Sequence, residues 1–200
     1  MALSLFTVNA ILILAKDDAS RILAKYYDAP HKPSGTKDRS YPGANPYPSI
    51  EGQKAFEKGL HEQTASQADK CDIILYDNRL VVFKQCQDVI CYVVGNAEEN
   101  EILLYSVVLA LRDSLYQVLK SPPDKRTILE HFDMVALAVD EIVDDGIILE
   151  TDPRTIAARV SQPPVADFSA KNIDLSEQGL VNGWKFARSF LGKSIASQFG

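Results

Sequence analysis

The stretch DIILYDNRLVVFKQCQDVICYVV, residues 72–94, contains three short apolar segments separated by two polar turns. The segments have the β-branched and aromatic composition that is typical of strands, and they cover residues 72–76, 79–86 and 89–94. Asp77 and Asn78 join the first two segments, and both residue types tolerate the positive φ angles of a type I′ turn. The stretch therefore predicts three consecutive antiparallel strands.

Two further strands are predicted on the N-terminal side. Residues 5–14 are apolar, residues 21–27 alternate loosely, and the polar turn at 16–19 between them favours a β-hairpin. The first segment is not expected to be a signal peptide, because no basic region precedes it and charged residues follow it directly. Residues 49–60 have the apolar spacing of a short amphipathic helix, and residues 64–70 are interpreted as a linker.

The next segment predicts a long helix. Residues 96–99, Asn-Ala-Glu-Glu, have the spacing of a capping box, in which the first and fourth side chains satisfy backbone N–H groups at the helix start. Apolar residues then recur with helical period over 104–119, and two prolines at 122–123 end the run. One face of this helix is therefore expected to pack on the sheet.

A second long helix and a brief third one are predicted after these prolines. Asp124 is expected to cap the second helix, whose apolar stripe covers residues 128–143. The sequence Asp-Asp-Gly at 144–146 is predicted to end it, with the glycine in the left-handed conformation. Asp152, followed by proline, predicts the start of a brief helix that ends near residue 160.

The predicted order of elements, β-β-α-β-β-β-α-α, indicates an α+β fold with a five-stranded antiparallel sheet flanked by helices. Residues 1–160 are assigned to this domain, which includes a proline-rich loop at 29–48. Residues 161–200 are a C-terminal extension, in which 176–197 predict a final helix with Trp184 on its apolar face. Glycines weaken that helix, so we expect it to need a partner to pack against.

Composition narrows the classes of function. The 200 residues carry a net charge of −6, and an acidic chain argues against a nucleic-acid-binding protein. Three cysteines without metal-ligand spacing indicate buried thiols in a reducing compartment rather than a disulfide framework or a zinc site. No apolar run approaches the roughly 20 residues that a membrane span requires.

Motifs for enzyme chemistry are incomplete. The tripeptide Gly-Lys-Ser at 192–194 resembles the end of a phosphate-binding loop, but Ala187 stands where that motif requires glycine. The pair His-Glu at 61–62 begins like a zinc-protease motif, whose second histidine would fall at Ala65. The acidic residues at 140–145 lack the alternating pattern of a calcium loop and are interpreted as a solvated or partner-facing edge. We therefore predict a binding module without a catalytic, cofactor or metal site.

Several segments together resemble one known family. They are AILIL (10–14), AKYYD (24–28), QKAFEK (53–58), ENE (99–101), LAVDEIVD (137–144) and ILETDP (148–153). The chain closely resembles the coatomer zeta subunits of the COPI vesicle coat and, more distantly, the sigma small chains of clathrin adaptors. The resemblance covers residues 3–160 and, weakly, 174–195, and the stretch 137–153 is its most specific part.

This resemblance implies a longin-like fold, with helices on both sides of the sheet, and a role without catalysis. It implies an obligate heterodimer with the gamma-COP trunk, a helical solenoid, alongside other coatomer subunits. An Arf-family GTPase recruits such a coat, so the chain is expected in the cytoplasm and peripherally on Golgi membranes and COPI vesicles. The implied process is Golgi-to-endoplasmic-reticulum and intra-Golgi transport. Residues 28–47 and 163–170 are longer than the corresponding family segments.

Two other functions stay open at the level of the sequence. One is a receptor for sorting peptides such as acidic dileucine motifs, although no shared motif places that pocket on this chain. The other is a longin regulator that binds a small GTPase directly. Partner contacts are predicted on apolar residues that the core does not require. The candidates are Leu103, Tyr105, Tyr116, Phe132, Met134 and Trp184.

Overall fold

A five-stranded antiparallel sheet organises the part of the chain that the structure describes. The structure is a computed structural model, and it describes residues 5–28, 45–65 and 72–161. The strands are β1 (Val8–Ala15), β2 (Arg21–Tyr26), β3 (Ile73–Tyr76), β4 (Arg79–Cys86) and β5 (Val89–Asn96). Their order in the sheet is β2-β1-β5-β4-β3, and all neighbours are antiparallel. The predicted α+β class and five-stranded sheet are thereby confirmed.

Helices and one small hairpin complete the described fold. The helices are α1 (Ile50–Ala65), α2 (Glu101–Leu119), α3 (Lys125–Glu130), α4 (Phe132–Ile142) and α5 (Pro153–Val160). The hairpin consists of β6 (Val143–Asp144) and β7 (Ile147–Ile148). α2 packs on β4 and β5, and α5 packs against both α2 and α4. Residues 162–200, which include the predicted final helix, lie outside the described residues.

Helices cover both faces of the sheet, which therefore has two apolar cores. Every residue of β1 is buried, and alternate side chains enter opposite cores. Ile11 and Ile13 pack with residues of α2 and α4, whereas Leu12 and Leu14 pack with residues of α1. Because a strand that is buried on both faces needs apolar residues at nearly every position, β1 and β5 lack a polar alternation.

Tight turns and one close approach fix the central strands. Asp77 and Asn78 have φ angles of 49° and 55°, which confirms the predicted type I′ turn between β3 and β4. Gly95 in β5 is required for a different reason, because a Cβ atom there would lie 2.6 Å from Cδ1 of Leu104. The missing side chain lets α2 approach β5 closely and places the start of α2 against the sheet.

The predicted end of the first helix is wrong. α1 continues past residue 60 to Ala65, so the segment interpreted as a linker begins inside the helix. Buried polar contacts explain the extension. The Thr64 hydroxyl lies 2.9 Å from the Leu60 carbonyl oxygen and 2.8 Å from the hydroxyl of Tyr92 on β5. Burial raises the pKa of Tyr92 to about 12, so this phenol stays protonated at neutral pH.

The predicted capping box of α2 is also wrong. The N-cap is Asn100 rather than Asn96, and its side chain accepts hydrogen bonds from the first-turn N–H groups of Ile102 and Leu103. Asn96 instead ends β5, and its side chain accepts a hydrogen bond from Arg79 on β4. Both asparagines suit a helix start, and only the register of the sheet distinguishes between them.

The predicted second long helix is in fact two helices that meet at His131. The backbone of His131 has φ −121° and ψ 36°, which interrupts the helix between α3 and α4. α4 ends at Ile142, because the chain then turns back as the β6–β7 hairpin. Asp145 and Gly146 form its turn with φ angles of 47° and 82°, so Gly146 is left-handed as predicted, but in a hairpin. The Gly146 carbonyl accepts a hydrogen bond from the Val8 N–H at 3.1 Å.

The expectation that no segment has the length and hydropathy of a membrane span is wrong for one described helix, because α2 is long and apolar enough to cross a membrane. Half of this apolar stretch is buried inside the domain. Leu104, Leu111 and Leu115 are fully buried there. Its length and hydropathy are therefore those of a core helix, whose apolar face is covered by the rest of the domain.

A buried ion pair joins β2 to α1. Glu57 of α1 is 3% exposed and accepts hydrogen bonds from Nε and Nη2 of Arg21 at 2.9 Å and 2.6 Å. The hydroxyl of Tyr26, also on β2, donates to the same carboxylate at 2.9 Å. Burial, followed by the charge of this carboxylate, raises the pKa of Tyr26 well above its usual value. The three side chains therefore satisfy one another in a site that excludes most solvent.

Arg21→Met is expected to lower the free energy of unfolding by about 3 kcal/mol, because the buried Glu57 carboxylate loses its cation. The matched control is Arg126→Met, which removes a largely exposed pair on α3 in which Arg126 lies 2.7 Å from Glu130. The control is expected to cost less than about 1 kcal/mol. Urea denaturation of both variants measures the difference, and equal losses would contradict the prediction.

The two residues that flank residues 29–44 lie next to each other. The Asn45 N–H donates to the Asp28 carboxylate at 3.2 Å, and the Asn45 side chain accepts from the Tyr47 N–H at 2.8 Å. The Tyr47 ring in turn stacks on Phe56 of α1, with ring centres 4.3 Å apart. Contacts outside residues 29–44 therefore hold the two ends of that segment together.

Replacing residues 29–44 with Gly-Ser-Gly is expected to leave the domain folded, because so short a linker already spans the gap between Asp28 and Asn45. A shorter loop costs less closure entropy, so the melting temperature should stay the same or rise slightly. Differential scanning calorimetry tests this expectation. A melting temperature lower by about 5 °C or more would show that the replaced residues themselves stabilise the fold.

Candidate partner interface

α2 has one buried face and one exposed face. The buried face packs on the sheet through Leu104, Leu111 and Leu115. On the opposite face, Ile102 is 80% exposed and Tyr116 is 39% exposed. The half-buried residues between them at helical spacing are Ser106, Leu109 and Asp113. We call this row, from Ile102 to Tyr116, the α2 stripe, and three of its five members are apolar or aromatic.

Tyr105 borders the α2 stripe and is held by contacts to the sheet. Lys84 of β4 lies 5.0 Å from the centre of the Tyr105 ring and also forms an ion pair with Asp72. The Tyr105 hydroxyl donates to the same carboxylate at 3.5 Å. Burial lowers the pKa of Lys84, but the hydrogen bonds to Asp72 and Tyr105 outweigh it, and the pKa lies above its usual value. These contacts make the ring a fixed wall beside the stripe.

A second set of exposed or half-buried apolar residues lies on α3 and α4, and we call this set the α4 patch. Its exposed or half-buried members are Leu129, Phe132, Met134 and Leu137. Asp140, on α4, forms an ion pair with Lys25 of β2. The α4 patch therefore belongs to the helix on the β2 side of the helical layer, whereas Tyr105 places the α2 stripe on the β4 side.

The structure distributes the predicted contact residues over these two surfaces. Leu103 and Tyr116 are exposed on or beside the α2 stripe, and Phe132 is exposed in the α4 patch. Met134 and Tyr105 are half-buried, and the ring of Tyr105 packs against the core instead of projecting freely. Trp184 lies outside the described residues. As partner contacts, these residues stay a prediction.

Sequence reasoning missed Ile102, although it is the most exposed of the large apolar residues on these two surfaces. Ile102 precedes the buried Leu104 by two positions, and a helix turns about 200° over that distance. The helical phase of the core residues was therefore sufficient to place Ile102 on the outer face of α2.

The acidic edge predicted at 140–145 is partly neutralised by the domain itself. Besides the pair formed by Asp140, Arg159 of α5 lies 3.1 Å from Glu141 and 3.8 Å from Glu150. These pairs tie α4 and the segment after β7 to α5. Several of the carboxylates thus have a structural role in joining elements of the helical layer.

Thiols and metal-ligating groups offer no further site in the ranges that the structure covers. Cys86 and Cys91 are buried free thiols, as predicted, and Cys71 lies outside the described residues. Among the described side chains, no cluster of three or more histidine, cysteine or acidic residues is placed to hold a metal ion. The exposed apolar surfaces are therefore the candidate functional site.

Comparison with known proteins first defines the class. A family model described as "Clathrin adaptor complex small chain" matches residues 7–166. A chain of the structure titled "Homology model of the full-length AP-3 complex in a stretched open conformation" has a TM-score of 0.54 at 16% identity. The match covers 76% of this chain and 90% of that chain, and it confirms the longin-like fold of an adaptor small subunit.

Curated relatives then specify the group within that class. Coatomer subunit zeta of Saccharomyces cerevisiae is 42% identical over 188 residues, which cover 94% of both chains. Human coatomer subunit zeta-1 is 39% identical over 175 residues, 88% of this chain and 85% of the relative. Coatomer subunit zeta-1 of Oryza sativa subsp. japonica is 34% identical over 186 residues, 92% of this chain and 94% of the relative. The chain therefore belongs to the adaptor small-chain family and, within it, to the coatomer zeta subunits.

Truncating a side chain to alanine is expected to affect the stability of the isolated domain very differently on the two faces of α2. Ile102→Ala is expected to change the free energy of unfolding by less than about 0.5 kcal/mol, because the side chain is already in solvent. Leu104→Ala is expected to cost about 3 kcal/mol, because it leaves a cavity between α2 and β5. Urea denaturation measures both values. A large loss for Ile102→Ala would show that this side chain belongs to the core of the domain.

Proposed function

We propose that this coat subunit pairs with the trunk of gamma-COP as an obligate heterodimer in the adaptor-like subcomplex of the COPI coat. Its role is structural and non-catalytic. It reaches the cytosolic face of Golgi membranes within the assembled coat, which an Arf-family GTPase recruits. The process it serves is Golgi-to-endoplasmic-reticulum and intra-Golgi transport. Membership of the coatomer zeta subunits supports this proposal.

The observation that carries the pairing is the exposed α2 stripe. Ile102, Leu109 and Tyr116 add apolar surface to a helix whose inner face already fills the core. Single exposed apolar residues are common on monomers, but an aligned row with an aromatic member is typical of a protein contact. A helix of the partner laid along the stripe would pack its own side chains between these residues. A helical solenoid supplies such helices.

Co-expression with a gamma-COP trunk fragment tests the proposal. The unmodified chain is expected to be poorly soluble alone and to elute with the trunk as a stoichiometric complex in size-exclusion chromatography. Ile102→Asp is expected to weaken the complex at least about tenfold, because a charge would enter an apolar contact. The matched control is Ile50→Asp, since Ile50 is 65% exposed on α1, which packs on the other core of the sheet. This control should leave the complex intact.

A monodisperse, well-folded chain without affinity for the trunk would overturn the pairing. If Ile102→Asp and Ile50→Asp weakened the complex equally, the pairing would stand and the contact would have to lie away from the α2 stripe. Hydrogen exchange on the complex distinguishes these cases, because a contact on the stripe slows exchange in α2 relative to the free chain.

A further inference from the structure

The connection between α2 and α3 contains a serine with an unbonded hydroxyl. α2 ends at Leu119, Lys120 turns the chain with a φ of 54°, and residues 121–124, Ser-Pro-Pro-Asp, lead into α3. Ser121 is half-buried and Pro122 is exposed, whereas Pro123 is buried. Among the residues that the structure describes, no hydrogen bond holds the Ser121 hydroxyl.

Nearby serines differ from Ser121 because their hydroxyls are engaged. Within α2, the hydroxyls of Ser106 and Ser114 donate to backbone carbonyls at 2.7 Å and 3.0 Å. The Ser20 hydroxyl accepts a hydrogen bond from Nζ of Lys125 at 3.0 Å. Ser121 is therefore available to react at its oxygen without the loss of a structural hydrogen bond.

Proline follows Ser121 directly, and in the 200-residue sequence no other serine or threonine has this neighbour. A residue before proline is restricted to extended conformations, and each proline fixes its own φ. Asp124 is also extended, with φ −122° and ψ 164°. Kinases that phosphorylate serine before proline accept such an extended segment. Ending α2 requires the prolines but no serine at 121.

Ser121 borders a cleft in which two carboxylates hold the start of α3. The cleft has a volume of about 430 Å³ and is lined by Gln87, Asp88, Ser121, Pro122, Asp124 and Thr127. Asp88 accepts a hydrogen bond from the Lys125 N–H at 2.9 Å. Asp124 accepts one from the Thr127 N–H at 2.7 Å. Because Asp88 belongs to the turn between β4 and β5, its hydrogen bond ties α3 to the sheet.

We propose that a proline-directed protein kinase phosphorylates Ser121 and that the phosphate loosens the start of α3 from the turn between β4 and β5. The γ-phosphoryl group of ATP is transferred to Oγ of Ser121, its bond to the bridging oxygen of ADP breaks, and the hydroxyl proton passes to the catalytic base of the kinase. The phosphate brings a charge of about −1.5 to −2 to a cleft that contains Asp88 and Asp124. Repulsion between like charges then weakens the two hydrogen bonds that hold α3.

Basic side chains near the cleft are already paired or lie outside α3. Nζ of Lys125 lies 3.9 Å from the Asp18 carboxylate. Arg126 lies 2.7 Å from Glu130. Lys120 is exposed and can pair with the phosphate, but it stands at the end of α2 and replaces neither of the two hydrogen bonds at the start of α3.

Phosphorylation in vitro tests the site. The full chain is incubated with ATP and a recombinant cyclin-dependent kinase, and mass spectrometry locates the phosphate. The reference substrate is a peptide of residues 116–127, which has no fold to restrict it. Because the segment is already extended and its hydroxyl is free, the folded chain should be phosphorylated at Ser121 at a rate within about tenfold of the peptide's rate. A slower reaction would show that the fold closes the site, and it would overturn the proposal.

Variants of the full chain identify the acceptor and the role of the proline. Ser121→Ala should take up no phosphate. Pro122→Ala should lower the rate at Ser121 at least about tenfold, because the kinase loses the residue that it requires. The matched control is Pro153→Ala, the same change at the start of α5, and it should leave the rate unchanged. Equal rates for the two proline variants would contradict recognition of the Ser-Pro pair, and thermal melting shows that each variant is folded.

Hydrogen exchange tests the effect of the phosphate on α3. Amides of α3 should exchange at least about threefold faster in the phosphorylated chain than in the unphosphorylated chain, while those of α5 stay the same. Asp88→Asn keeps the accepting oxygen and removes one repelling charge, so phosphorylation should accelerate exchange less in this variant. Unchanged or slower exchange in α3 would overturn the loosening. All of these measurements use the chain alone, so failure of the gamma-COP pairing leaves them unaffected.

Discussion

β1 and β5 have almost no side chain left for solvent, and the rest of the domain depends on this constraint. Their residues are buried on both faces of the sheet, so each face needs its own cover. α1 covers one face, and α2 with α4 covers the other. A helix that covers a sheet needs an apolar stripe on one side only. α2 also has apolar residues on its outer face, beginning with Ile102. These additional apolar residues are the physical reason for proposing a partner.

Local chemistry predicted the parts of the fold that depend on neighbouring residues. The type I′ turn at Asp77 and Asn78 and the N-caps Asp124 and Asp152 lie where the sequence places them. The boundaries that failed depend on distant groups. α1 is extended by Thr64, whose hydroxyl meets β5, and α4 stops where a hairpin returns to β1. No window of sequence around either boundary contains the contact that decides it.

The sequence alone could predict only those parts of the candidate site that lie on a single helix. The phase of α2 places Ile102 and Tyr116 outward, and the family resemblance indicates what kind of protein would use them. The wall formed by Tyr105 was not predictable, because Lys84 and Asp72 come to it from other elements of the sheet. The aromatic contacts on the α1 side could not be predicted for the same reason. The rings of Tyr47, Phe56 and Tyr76 come from three separate segments, and no spacing in the sequence connects them.

The hydrogen bond between the Val8 N–H and the Gly146 carbonyl bears on how the protein is made. β1 is the first of the described strands, yet its pairing is completed by β5 and by a hairpin that is synthesised much later. Pairing between such distant segments slows folding. A nascent chain therefore carries β1, which is apolar except for Asn9, without its β5 partner until β5 has left the ribosome exit tunnel, and the exposed apolar surface is prone to aggregation during this interval.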